Sequence, residues 1–159
     1  MLDLHALTLV HVLISLAALF TGIPLLFGWK AGKTLPGLAT ATIVLLLLTS
    51  LSGFLFPFVK FLPSHAFGVL SLLVLPVTIY ARWGKQLAGR WSTVYGASLA
   101  FAIYLDAFVA LVQSFLKIPA LHALVPSDKS PGFALGQGLL LVAFLVLAIP
   151  AVRGLRRAV

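Results

Sequence analysis

Cysteine and glutamate are missing from this sequence altogether, and aspartate occurs only at Asp3, Asp106 and Asp128. Without cysteine there are no disulfides, no thiolate metal sites and no dithiol redox chemistry. Charge of either sign is scarce: 9% of the 159 residues are charged, against 62% hydrophobic. A soluble domain of this length needs far more polar surface to stay dispersed. Catalytic signatures are missing too. There is no Walker loop, GxGxxG, GxSxG elbow or HExxH, and no two carboxylates stand close enough in sequence for acid–base hydrolysis. These absences weigh against enzymatic chemistry of the soluble kind.

What the sequence has instead is long apolar runs, at about 6–29, 38–59, 65–84, 92–117 and 133–152, each of the length a membrane helix needs. Each is bounded by Gly, Pro or charge. The expected fold is all-α, a single transmembrane domain over 1–159 built as a bundle of five helices. The second run ends in Gly53-Phe54-Leu55-Phe56-Pro57, which also suits a re-entrant segment. The first run is no cleavable signal peptide, because it opens with Asp3 and has its basic residues on the far side.

The net charge of +8 and pI near 10.5 raise the question of nucleic acid. The positions of the charges argue against it, because they punctuate apolar runs instead of lining one face. Lys30 and Lys33 follow the first run, Arg82, Lys85 and Arg90 fall around the end of the third, and Arg153, Arg156 and Arg157 close the chain. These share one side of a five-helix topology, whereas Lys60, Lys117 and Lys129 fall on the other with Asp3 and Asp128. The positive-inside rule then predicts the N-terminus outside and the C-terminus inside. Anionic lipid headgroups are partner enough for the basic loops. Trp29, Trp83 and Trp91 are expected at the inner interface.

Several runs carry small or polar residues on one face: Thr8, His11, Ser15 and Gly22; Thr42, Thr49 and Gly53; Ser64, Ser71 and Thr78. Gly132 and Gly136 have GxxxG spacing. Such faces are expected to be helix-packing seams. Pro24, Pro76 and Pro150 sit near the inner ends of three helices, where kinks could open an inner vestibule.

Asp106 is the sharpest signal. It lies roughly 16 Å from the Lys117 end of its helix, close to the bilayer midplane. A charge there costs roughly 2.5 to 3.5 kcal/mol on insertion scales, so it should face the bundle interior or a polar cavity. Gln113 and Lys117 continue the same face, two and three turns on. Intramembrane carboxylates recur in proton relays and cation paths. The stripe of Asp106, Gln113 and Lys117 therefore predicts a half-channel from outside, in a proton- or cation-conducting or coupled conduit. The structural alternative is a buried Asp bonded to Thr49, Ser71 or Tyr104 that locks the bundle.

All four histidines fall on the expected outer side. His11 and His65 are the pair placed to hold a b-type haem or a quinone, and His5, His122 and Asp128 are the further candidates for a divalent metal. The spacing contains no HxxxH pair, so a metal site has to assemble from separate segments. A redox or metal-binding subunit is thus the alternative function, and an assembly partner with no chemistry of its own is a third.

With TSLSGFLFPF (49–58), PSH (63–65) and LDAFVALVQSFLKIPALHAL (105–124) in view, the chain resembles a group of small uncharacterised multi-pass membrane proteins of Gram-negative bacteria. The resemblance implies a bacterial inner (cytoplasmic) membrane location and no particular activity. A chain this short is expected to work as a homo-oligomer or as a subunit of a membrane complex, because transport folds usually need more length.

Overall fold

A computed structural model describes residues 3–57 and 63–159, with the side chains of Pro63 and Ser64 left aside. Six α-helices follow in order: α1 (Leu4–Lys30), α2 (Pro36–Gly53), α3 (Pro63–Ile79), α4 (Trp91–Lys117), α5 (Pro119–Leu124) and α6 (Pro131–Ala158). A π-helical turn, Tyr80–Gly84, prolongs α3, and the described residues contain no strand. α1, α2, α3 with its π turn, α4 and α6 are each long and apolar enough to cross a membrane.

Local chemistry sets the helix starts. Asp3 caps α1, its side chain accepting from the His5 N–H at 3.0 Å. α2, α5 and α6 each begin with a proline in the first turn, where a missing N–H costs nothing. The turn before α2 puts Leu35 in the left-handed region (φ 44°), and the connection from the π turn to α4 uses Gln86, Leu87 and Gly89 there.

α1 packs on α2, α2 on α3 and α3 on α4, while α4 also touches α1, so the first four long helices close a ring. α6 lies behind, against α1 and α4. The outward faces are apolar, with Phe20 77% exposed and Leu73, Leu135 and Val146 similarly bare. In water such a surface would drive association; in hydrocarbon it is the expected one.

Lys30, Arg82 and Lys85, Arg90, and Arg153 to Arg157 all gather at one end of the bundle, where the packing is tightest. There Leu25, Leu26, Trp29, Ala39, Leu75, Tyr95, Leu99 and Ile103 are fully or almost fully buried. Gly154 lets α6 approach so closely that an added Cβ would collide with the Trp29 carbonyl. Arg82 ties its π turn to two helices at this end, donating to Tyr95 Oη of α4 (2.7 Å) and to the Pro36 carbonyl (3.0 Å) and Thr40 Oγ1 (3.3 Å) of α2.

The structure corrects several sequence expectations. α2 stops at Gly53 instead of continuing to about 59, because Phe54 and Leu55 leave the helix through turn bonds to Leu51 and Ser52. Residues 58 and 59 and Lys60 lie outside the described residues. Trp29 is a core residue, 0% exposed, with its indole N–H on the Thr34 carbonyl at 3.1 Å; only Trp83 is well exposed. α6 runs on to Ala158, taking the three C-terminal arginines into the helix. The short α5, which contains His122, was not expected from the sequence.

Candidate functional site

At the end opposite the basic cluster the helices differ in length, and the described residues leave a space there. α2 has 18 residues, whereas α1 and α4 have 27 each, so α2 is shorter by roughly 13 Å. The space left beyond it, between α1, α2, α3 and α4, is a cavity of about 730 Å³. Its walls are mostly apolar, from Val12, Leu16, Leu46, Phe67, Leu105 and Val109, and the segment Phe54–Pro57 contributes two phenylalanines.

The polar groups lie at definite heights within it. Ser15 on α1 and Asp106 on α4 each stand fifteen residues from the basic-end termini, Lys30 and Trp91, hence at the same depth of about 22 Å. They meet there: Ser15 Oγ donates to Asp106 Oδ1 at 2.8 Å. Asp106 is 8% exposed, and its second oxygen, Oδ2, is buried with no hydrogen-bond partner among the described residues. Thr49 Oγ1 is likewise buried and unpartnered. Ser50 and Ser71 complete the polar belt. A buried acceptor without a donor costs on the order of 1 to 3 kcal/mol, so two of them on residues of one cavity wall mark a place that a proton or, after a small side-chain shift, a ligand donor can fill.

His11 lies nearer the open end. Ser52 gives its single hydroxyl hydrogen to the Thr49 carbonyl (3.1 Å), so it accepts from Nδ1 of His11 at 2.8 Å and leaves Nε2 with a lone pair. Phe56 meets the His11 ring edge-on at 5.4 Å, and Phe54 lies 6.3 Å from the His65 ring. Gln113 and Lys117 line the same cavity, with Lys117 exposed at its end.

The structure thus brings Asp106, Gln113, Lys117, His11 and His65 to one cavity. It leaves His5, His122 and Asp128 off its wall. His5 and Asp128 are exposed, and His122 donates from Nδ1 to the Phe115 carbonyl at 3.2 Å. Among the described residues no three His, Cys, Asp or Glu side chains group closely enough to hold a metal ion. The partner of Asp106 is Ser15, not Thr49, Ser71 or Tyr104; Tyr104 instead packs against Phe108 and Phe144. Ser15 was legible as part of a polar face but not as the partner of the carboxylate. Counting residues from the basic end of each helix would have paired them.

Below Asp106 the bundle is shut. Leu25, Leu26, Leu75, Leu99 and Ile103, none of them exposed, fill the space down to Trp29 and Tyr95. Among the described residues the cavity therefore has no continuation towards the basic end, and the space lies on the other side of Asp106. The GxxxG pair packs within the chain, Gly136 against Phe115 and Gly132 against Val125. No protein-family model matches the chain, and no curated protein or solved structure is detectably similar to it.

Proposed function

We propose that this chain is a multi-pass protein of the bacterial inner membrane, N-terminus outside, that admits a proton or cation from the outer side to Asp106. The observation that carries the reading is Asp106, a residue of the cavity wall at mid-depth whose buried Oδ2 lacks a partner among the described residues. A carboxyl held only to lock two helices together is better served by donors on both oxygens, and this one has a donor on one. The positive-inside rule supports the orientation, since the basic residues cluster at the sealed end.

One-sided access defines the mechanism. With an apolar plug between Asp106 and the basic end, the protein in this form binds and exchanges rather than conducts. Movement across the membrane requires a second arrangement in which the plug opens, as in alternating access. Such an arrangement fits a coupled carrier, working in a homo-oligomer or in a larger membrane complex, and makes Gln113 and Lys117 the lining of the entry path.

Dicyclohexylcarbodiimide, which reacts with protonated carboxyls in apolar surroundings, tests the reading directly. Mass spectrometry of the purified protein should find the adduct on Asp106 and not on the exposed Asp3 or Asp128. Proton flux in proteoliposomes should be lost on Asp106→Asn and on reagent treatment alike. Flux from an active wild type that survives both changes would sink the proposal.

A further inference from the structure

The cavity is much larger than a proton or a bare ion needs. At about 730 Å³ it lies within the roughly 300 to 1,000 Å³ range of sites for small organic molecules. An inorganic cation would also be poorly held, because hard cations want six or more oxygen ligands and the carboxylate here stands alone.

The chemistry of the wall is asymmetric. The deep end offers acceptors: among the described residues Asp106 Oδ2 and Thr49 Oγ1 both lack partners, and no Lys or Arg lies near them on the wall. Towards the open end the wall is aromatic, with Phe54 and Phe56 beside the histidines and Phe67 stacked on Phe108 at 4.6 Å. Aromatic faces pack an apolar or ring-bearing body, and a desolvated carboxylate prefers a charged N–H donor. We propose that the cavity binds a lipophilic organic cation, an N–H-bearing ammonium head on an apolar body, with the head on Asp106 and the body against the phenylalanines. This rests on the reading of Asp106 as the exchangeable group.

Proton and cation then exclude one another. A neutral carboxyl has no charge to pair with an ammonium, so binding to the protonated site forms the ion pair and releases one proton into the cavity. The atoms balance: the O–H bond of Asp106 breaks, the ammonium keeps its own protons, and water takes the one released. Among the described residues the titratable groups facing this exchange are His11 from α1, His65 from α3 and Lys117 from α4; α2 contributes none. Lys117 lies about 16 Å along the helix from Asp106, too far to neutralise it directly.

The test is protection of the full-length protein in mild detergent from carbodiimide. Rhodamine 6G, a lipophilic cation with N–H donors, is the probe, and 8-anilinonaphthalene-1-sulfonate, a lipophilic anion, is the control. At ten times its Kd the cation should cut labelling of Asp106 about tenfold, by simple occupancy, while the anion leaves it unchanged. Fluorescence anisotropy should show rhodamine 6G binding weakened at least about tenfold, some 1.4 kcal/mol, by Asp106→Asn. Labelling that neither dye reduces, or that both reduce equally, overturns the organic-cation assignment and leaves the proton site standing. Absence of labelling without any dye overturns both. The wild-type protection result decides even if the variant fails to fold.

Discussion

Ser15 and Asp106 sit at one depth on α1 and α4 and share a 2.8 Å hydrogen bond at the floor of the cavity. It holds Asp106 Oδ1 and leaves the buried Oδ2 without a partner among the described residues. Ser15→Ala is expected to lower stability by about 1 to 3 kcal/mol, because it leaves the buried Oδ1 of Asp106 without a donor. Unfolding titrations with dodecyl sulfate would measure this. A loss beyond about 3 kcal/mol would mean that Ser15 supports more than one bond.

Carbodiimide labelling of Asp106 should fall as pH rises. The reagent needs the protonated carboxyl, so the reactive population is largest at low pH and shrinks as the group ionises. Asp106→Glu should retain labelling and Asp106→Asn abolish it, as read by intact-protein mass spectrometry. A pH-independent rate would show that the reagent, not the proton, limits the reaction.

Gly154→Ala should destabilise the bundle by about 1 to 3 kcal/mol, because the new methyl meets the Trp29 backbone and α1 and α6 must separate. Gly138→Ala on the same helix, with nothing within 4 Å of the added atom, should be neutral or gain up to about 1 kcal/mol from helix propensity. The two variants compared in one unfolding assay isolate close approach from propensity.

Orientation can be read by cysteine labelling, since the natural chain has none. Ser127→Cys, before α6, should react with a membrane-impermeant maleimide in intact spheroplasts. Lys33→Cys, at the basic end, should react only after permeabilisation. The reverse pattern would invert the topology and put the cavity on the inner side.

An absorption spectrum before and after dithionite separates the carrier from a haem subunit. His11 Nδ1 is committed to Ser52, leaving Nε2 as the one ring nitrogen with a lone pair. A featureless spectrum is expected. A Soret band lost on His11→Ala would move the chemistry from Asp106 to the histidines.

The sequence by itself determined the number of helices long and apolar enough to span a membrane, their approximate bounds and the face on which Asp106, Gln113 and Lys117 lie. It could do so because the bilayer makes length and apolarity nearly sufficient. It also held the matched depth of Ser15 and Asp106, since both are counted from a basic helix end. Only the tertiary structure decided that α2 ends at Gly53, that Trp29 is core, and that His11 and His65 join the cavity whereas His5, His122 and Asp128 do not. Those outcomes depend on which helices are neighbours and on how far one stops short of the next. A five-run hydropathy pattern is blind to both, because in a membrane the apolar residues that face lipid and those that face another helix look alike.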